Sequence, residues 1–219
     1  DIWSKENRKK IRNVRFAVGL CFQYPEYQIF EENIFKEIAF GPKQMGLSNE
    51  EIALRVRESM EFVGLKGDMV DKSPFDLSGG QKRRVAIASV IAMKPQVLIL
   101  DEPASGLDPK GREQILGLIR EYHEQMKNTV LLVSHSMEDI AKNVSKILVM
   151  NESKLFCYDD TVKVFHRSED LVSMGLAVPQ ITRVINRLKA MGIDIKDDVY
   201  TVGYAKKVIL EMLEQKKNK

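Results

Sequence analysis

Cysteines and long hydrophobic runs are both scarce in this sequence. Cys21 and Cys157 are its 2 cysteines, too few for a disulfide framework, and each has apolar neighbours. We therefore expect buried thiols and a reducing compartment. The longest apolar runs, VAIASVIAM and VLIL, are far shorter than the roughly 20 residues of a membrane helix, and the chain does not open with a signal-peptide pattern. Any membrane role is expected to go through a partner.

An excess of charge of one sign is also lacking. The 34 basic and 31 acidic residues leave a net charge of +3, so nucleic acid is not expected as a partner. The content of 44% hydrophobic and 30% charged residues argues against disorder and is typical of a globular chain. The length of 219 residues suits one large domain or a domain with a small appendage.

The phosphate loop G-x-x-x-x-G-K-[ST], which usually grips a nucleotide's phosphates, is missing from these residues. The segment most similar to this loop, GPKQMGLS, has Leu47 in place of the lysine. Nevertheless, residues 76–88, DLSGGQKRRVAIA, form a glycine-rich stretch that runs into a predicted helix. Backbone N–H groups of Ser78, Gly79 and Gly80 and the positive helix end can meet an anion there, and Gln81 begins the helix. The sequence thus predicts one half of a phosphate site.

Unbroken apolar runs predict strands that are buried on both faces. They occupy residues 97–100 and 130–133, and a third buried strand is predicted over residues 14–23. Because parallel strands are joined by right-handed crossovers, the intervening helices predict an α/β fold with a parallel sheet. Helices are predicted over residues 49–64, from 79 to before Pro95, and over 111–126. An antiparallel edge hairpin is predicted over residues 146–159, and further helices from 161 onward. The apolar stripe of residues 179–215 is expected to pack on its own domain.

Polar residues follow three of the predicted strands. They are Gln23, the pair Asp101 and Glu102, and His135. Ligands of open α/β sheets bind beyond the carboxyl ends of strands. Each residue alone is weak evidence, because acid pairs often cap helices and lone histidines are mostly surface residues. Together they suit metal-assisted attack of water on a phosphoryl group, with Asp101 on Mg²⁺ through water and Glu102 as the base. His135 would then bond the γ-phosphate, and Gln23 would help to sense the metal and the water.

Five ordered motifs resemble those of the ATP-binding-cassette (ABC) ATPases. They are CFQYPEYQIF for the Q-loop, LSGGQKRR for the signature motif, VLILDEP for Walker B, SGLDP for the D-loop and VSHSMED for the switch-histidine region. Within that family, FQYPEYQIFEENIFKEIAFGP is similar to the ATPase subunits of energy-coupling-factor importers of vitamins and metals. The C-terminal GLAVPQITRVINRLKAMGIDI is similar to their short helical extension. The resemblance therefore covers nearly the whole chain.

The resemblance implies a P-loop NTPase core that lacks its N-terminal part, with a helical subdomain and a C-terminal extension. We expect a partial core in residues 1–23 and 92–165, a helical subdomain with the Q-loop in 24–91, and the extension in 166–219. The implied cofactors are ATP and Mg²⁺. The implied catalytic residues are Glu102 and His135, the metal-site residues are Asp101 and Gln23, and the nucleotide-contacting residues are Gln23, Ser78, Gly79, Gly80, Gln81 and Asp108.

The implied partners follow from how ABC cassettes work. Two cassettes pack head to tail, so that each ATP lies between the Walker A loop of one and the signature motif of the other. The second cassette is expected to be an identical or a paralogous ATPase. A membrane coupling protein is expected to dock near the Q-loop, with a membrane substrate-binding protein engaged indirectly. The protein would then lie peripherally at the cytoplasmic face of the cell membrane.

The absent Walker A loop has two interpretations. We expect a truncated chain rather than a degenerate one, because Glu102 and His135 are both intact, and we expect these 219 residues alone to be inactive. The alternatives to a transport ATPase are a soluble cassette of the translation-factor type and a catalytically dead regulatory cassette. A second cassette and a charged linker would favour a soluble cassette that acts on ribosomes, and long heptad coils one that acts on chromosomes. Neither feature is visible in the sequence, although a truncated chain could lack a second cassette.

The aromatic stretch after Gln23 has both a structural and a functional interpretation. We expect one set of its side chains to form the core of the helical subdomain: Phe30, Ile34, Ile38 and Phe40. We expect a second set to face outward, where the coupling protein would dock: Tyr24, Glu26 and Tyr27.

Overall fold

The structure of the protein is a computed structural model, which describes Ser4, Asn7, residues 10–196 and residues 199–217. Two compact units divide the chain, Asp1–Val133 and Ser134–Lys219. The three-part division expected from the sequence stays a prediction, and some terminal residues of its ranges lie outside the described residues. Within the described ranges, no helix has both the length and the apolarity that a membrane crossing requires.

The first unit combines α-helices with short strands. Its elements are α1 (Ile11–Ala17), β1 (Val18–Cys21), α2 (Ile34–Met45), α3 (Asn49–Phe62), α4 (Gly79–Ile91), β2 (Val97–Asp101), α5 (Pro109–Met126) and β3 (Thr129–Val133). The strands pair in parallel in the order β1-β2-β3, so the predicted α/β fold with a parallel sheet is confirmed. The helices predicted in this unit are confirmed too, as α3, α4 and α5.

The two faces of this sheet are buried to different degrees. In one row across the strands, Cys21 and Leu100 are buried, and burial raises the pKa of the Cys21 thiol to about 12. In the adjacent row, Leu20 and Leu131 are more than 40% exposed and flank Ile99. The expectation of burial on both faces is therefore wrong for this row, because its side chains on the two outer strands are largely exposed. Cys157, the other cysteine, is half-buried rather than buried.

Strand β1 is shorter than the strand predicted over residues 14–23. Helix α1 extends to Ala17, whose carbonyl accepts the N–H of Gln96 at 2.8 Å. The neighbouring strand β2 begins only at Val97, because Pro95 has no N–H to donate to a ladder. Residues before Val18 thus have no strand to pair with. Glycine is required at position 19, since a Cβ there would lie 2.7 Å from Val90 Cγ1 of α4.

Helices α2, α3 and α4 form the densest part of the first unit's core. The buried side chains Ile34 and Ile38 of α2 belong to one cluster with Val56 of α3 and Val85 of α4. The core prediction is therefore confirmed for Ile34 and Ile38. It is wrong for Phe30 and Phe40, which are 59% and 43% exposed and pack edge-to-face against each other with ring centroids 5.1 Å apart. An aromatic pair of this kind gains its contacts at the surface without entering the core.

The second unit contains a hairpin followed by short helices. Its elements are α6 (Met137–Asn143), β4 (Lys146–Asn151), β5 (Lys154–Asp160), α7 (Thr161–His166), α8 (Ser168–Ser173), α9 (Gln180–Ala190) and α10 (Val202–Lys217). Strands β4 and β5 pair antiparallel, which confirms the predicted hairpin. Ile185, Val199, Ala205 and Val208 form a separate small core, so the C-terminal stripe packs within its own unit as expected.

Candidate functional site

The signature turn, residues 78–81, is held by bonds among its own residues. The Ser78 hydroxyl caps α4 by accepting the N–H of Gln81 at 3.4 Å, and Gln81 Oε1 accepts the N–H of Ser78 at 3.0 Å. This reciprocal capping box satisfies two of the donors that a helix start leaves unpaired. In this arrangement the Gln81 side chain serves the turn itself. Its expected contact with a nucleotide stays a prediction.

The two glycines of the signature turn are exposed and unconfined. A Cβ added to Gly79 or Gly80 would meet no atom within 4 Å, so packing gives no reason for glycine at either position. Glycine there leaves the backbone N–H groups of a 13-residue helix open to close approach by an anion. This geometry suits the phosphate contact predicted for the signature turn.

The acid pair lies at the carboxyl end of the central strand. Asp101 is the last residue of β2 and is half-buried, and Glu102 follows it. The N–H of Glu102 donates to the carbonyl of Val133 at 2.9 Å, and Glu102 has a left-handed backbone with φ 48°. Such a conformation costs a non-glycine residue about 1–3 kcal/mol. The structure therefore holds the predicted base in a strained and defined position.

Gln23 lies at the same edge of the sheet. Because Cys21 of β1 pairs with Leu100 of β2 in parallel register, the chain beyond each strand leaves the sheet on the same side. The Gln23 side chain is exposed, and Tyr24 after it has a left-handed backbone with φ 53°. We call Gln23, Asp101 and Glu102 the strand-end site.

Two further predicted residues are placed by helix starts. Asp108 caps α5, where its Oδ1 accepts the N–H of Gly111 at 3.0 Å, and its expected contact with a nucleotide stays a prediction. His135 belongs to the second unit, where it is exposed and precedes Ser136, the N-cap of α6. Its expected contact with a γ-phosphate also stays a prediction.

Sequence reasoning missed Arg83 and misplaced Glu26. Arg83 is 3% exposed, and its guanidinium forms a two-pronged ion pair with the Glu26 carboxylate: Nη2 to Oε1 at 2.7 Å and Nε to Oε2 at 3.1 Å. Glu26 was expected to face outward, yet its side chain is only 14% exposed. Burial alone would raise the pKa of Glu26, but hydrogen bonds from Arg83 and the local backbone, with the guanidinium charge, hold the pKa below its ordinary value.

A surface of aromatic side chains follows the strand-end site along the chain. Tyr24 and Tyr27 are 40% and 84% exposed and have ring centroids 6.0 Å apart. With the exposed pair Phe30 and Phe40 they make up what we call the Q-loop aromatic surface. The prediction of outward-facing side chains is confirmed for both tyrosines.

The donor chemistry of the strand-end site fits Mg²⁺. Asp101 offers a carboxylate and Gln23 an amide oxygen, and Mg²⁺ sites typically use one or two carboxylates and complete the shell with water and phosphate oxygens. Among the described residues, no cluster of three or more His, Cys, Asp or Glu side chains forms a cage for a metal. The site therefore suits a metal that arrives with a nucleotide.

Comparison with known proteins identifies the family of the chain. Residues 2–105 match the family model described as ABC transporter. Over 218 residues, the chain is 52% identical to "Energy-coupling factor transporter ATP-binding protein EcfA2" of Clostridium acetobutylicum, and the match covers 99% of this chain and 76% of that protein. The chain belongs to the ABC transporter ATPases. The protein of the same name from Bacillus licheniformis is 40% identical, and the match covers 96% of this chain and 73% of that protein.

Solved structures of other ABC cassettes have the same fold. CbiO1 of Clostridium perfringens, described as part of the ABC transporter complex cbiONQ, aligns with a TM-score of 0.67 at 32% identity, covering 84% of this chain and 72% of that one. A second structure is an ATP-binding cassette, solved as a dimer in a post-hydrolysis state with ADP and phosphate. It aligns with a TM-score of 0.60 at 23% identity, covering 70% of this chain and 67% of that one. At this identity the similarity shows the fold alone. The resemblance to the ABC ATPases, and within them to the energy-coupling-factor subunits, is confirmed.

Proposed function

We propose that this ABC ATPase binds and hydrolyses ATP to power an importer of the energy-coupling-factor type, with vitamins or metal ions as the transported class. The observation that supports this most directly is one compact unit that holds an open signature turn on α4 and an acid pair at the end of β2. The identity of 52% to proteins named energy-coupling factor transporter ATP-binding protein supports the transporter type, and the substrate class is part of the proposal.

The strand-end site supplies the residues for the chemical step. Asp101 and Gln23 would hold Mg²⁺, which neutralises the charge of the phosphates. Glu102 would orient the attacking water and accept its proton, a role that its defined backbone position favours. His135 would hydrogen-bond the γ-phosphate.

The signature turn would act on a nucleotide that a second cassette holds. Its exposed N–H groups and helix end can bind a phosphate. We propose a composite site, of the kind that the resemblance to the ABC ATPases implies, in which this turn contacts a nucleotide held by the phosphate loop of a partner cassette. Asp108 would approach the shared nucleotide from its place at the start of α5.

A membrane partner would dock on the Q-loop aromatic surface. Tyr27 and Phe30 are among its most exposed side chains, at 84% and 59%, and rigid aromatic groups of this kind commonly anchor interfaces. The surface continues directly from Gln23, so docking there would place the partner beside the strand-end site. The ATPase would then lie peripherally at the cytoplasmic face of the membrane, and a substrate-binding membrane protein would be engaged through the coupling protein.

The test is the substitution Glu102→Gln in the ATPase purified with its cassette and membrane partners. Turnover is expected to fall about 10²–10⁴-fold, the usual contribution of a general base, while ATP-driven dimerisation survives. The matched control is Glu124→Gln, which neutralises an exposed carboxylate on α5 of the same unit and should leave turnover unchanged. Unchanged turnover in Glu102→Gln would remove Glu102 from the base role, and a wild-type complex without ATPase activity would refute the function.

A further inference from the structure

Arg83 is a buried cation that the mechanism above does not use. Besides its ion pair with Glu26, its Nη1 donates to the carbonyl of Ser105 at 2.6 Å and to that of Pro103 at 3.3 Å. Glu26 lies in the turn Pro25–Gln28 that follows Gln23, and Pro103 directly follows Glu102. One guanidinium on the signature helix α4 therefore holds both segments that leave the strand-end site.

Both of these segments contain a strained residue. Tyr24 and Glu102 have left-handed backbones, with φ 53° and 48°. Conformations of this kind persist only where the surroundings fix them. The two segments also lie close to each other, because a Cβ added to Gly106 would lie 3.8 Å from Tyr24 Cε1. The Arg83 side chain bonds to both segments.

We propose that Arg83 is a positioning residue, which couples the segment after Gln23 to the turn after Glu102. A displacement of the Glu26 turn is transmitted through the guanidinium to the carbonyls of Pro103 and Ser105, and so to Glu102. Lysine cannot replace arginine here, because the pairing needs a planar fork with donors in two directions. The effect on ATP hydrolysis rests on the proposed function, whereas the mechanical coupling does not.

Arg55 of α3 provides a matched control. It too binds one carboxylate and two carbonyls: Glu51 Oε1 at 2.8 Å, and the carbonyls of Met93 at 3.2 Å and Ala92 at 3.3 Å. Its side chain is also largely buried, at 14% exposed. None of these contacts involves a segment of the strand-end site, so Arg55→Lys reports what the loss of an arginine fork does to stability alone.

Hydrogen exchange without nucleotide tests the coupling. The reporter is the turn after Glu102, where the N–H of Ser105 donates to the Glu102 carbonyl at 3.0 Å. Glu26→Gln should speed exchange there by about tenfold or more, although the described hydrogen bonds of the Glu26 side chain go to Arg83 and not to this turn. It should add nothing in an Arg83→Lys background. Arg55→Lys should leave it unchanged. No acceleration in Glu26→Gln, or equal acceleration in Arg55→Lys, would overturn the proposal.

Kinetics of the assembled complex test the consequence. Arg83→Lys should lower kcat about tenfold or more with a much smaller change in the KM for ATP, because a misplaced base affects the transition state more than binding. Arg55→Lys should lose about as much thermal stability as Arg83→Lys but keep the wild-type kcat. A wild-type kcat in Arg83→Lys, or equal losses in both variants, would overturn the proposal. If the wild-type complex hydrolyses no ATP, the proposed function fails, and the exchange experiment decides the coupling by itself.

Discussion

The signature turn and the strand-end site are held by interactions of very different range. Ser78 and Gln81 bond to each other across a single helical turn. Glu102 instead depends on the pairing of β2 with β3, since its N–H donates to Val133 O, and on the turn that Arg83 holds. A locally closed motif keeps its shape whenever its helix forms, whereas a site assembled across strands responds to distant displacements. The first suits docking on a partner's nucleotide, and the second suits control by a partner.

Among substitutions in the signature turn, Gly80→Ala is expected to have the largest effect, and it tests whether the turn serves a ligand rather than the fold. The added Cβ meets no protein atom, and alanine is the better helix former, so the free energy of unfolding should stay the same or rise by up to about 1 kcal/mol. Turnover of the assembled complex should fall about tenfold or more, because the methyl group occupies the path of a phosphate to the backbone N–H groups.

The control for this experiment is Gly67→Ala, which also adds an unopposed Cβ in the first unit. It should leave turnover unchanged. If Gly80→Ala destabilised the protein and kept full turnover, the glycine would serve folding. The signature turn would then not differ from the strand-end site in the way described above.

Ser78→Ala tests whether the local cap matters beyond helix stability. Ser48 is the matched control, because its hydroxyl caps α3 by accepting the N–H of Glu51 at 3.2 Å. Each substitution should cost about 1 kcal/mol in urea unfolding. Only Ser78→Ala should also lower turnover, by about fivefold, which corresponds to about 1 kcal/mol of lost ordering of the turn. Equal turnover in the two variants would show that the cap has no part in the site.

The smallest effect concerns the ion pair that joins the two regions. The pKa of Glu26 is lowered in the folded protein, so its stabilising contribution is present above the unfolded pKa of about 4.3 and is lost as the pH falls through the lower, folded pKa. Thermal melts from pH 6 to about pH 3 should therefore show a shallower loss of stability in Glu26→Gln than in the wild type.

Salt distinguishes this pair from exposed ones. Because both partners are largely buried, the difference between Glu26→Gln and the wild type should persist at about 0.5 M salt, where exposed pairs are screened. A pH profile identical in the two proteins would mean that the pair contributes nothing to folding.

The sequence predicted the features that depend on neighbouring residues. The start of α4 at its glycines, the amphipathic helix α3 and the apolar strands β2 and β3 all follow from patterns within a few residues. The strand-end site was predictable as well, because parallel strands expose their carboxyl ends at one edge.

The rest depends on contacts that no local pattern encodes. Glu26 and Arg83 are 57 positions apart, and an acidic residue between two tyrosines is typical of a surface turn, so its burial could not be foreseen. Phe30 and Phe40 are apolar enough for the core, yet both are exposed, and on α2 the buried face is occupied by Ile34 and Ile38. The late start of β1, at Val18, depends on where β2 begins, which Pro95 sets.

The left-handed backbone of Glu102 has a consequence for engineering. Glycine adopts φ 48° without penalty, so Glu102→Gly would relieve a conformation that costs about 1–3 kcal/mol while deleting the proposed base. A variant library ranked by thermostability alone would therefore enrich glycine at position 102 and return robust but inactive proteins. Selection for this cassette has to read activity and melting temperature together.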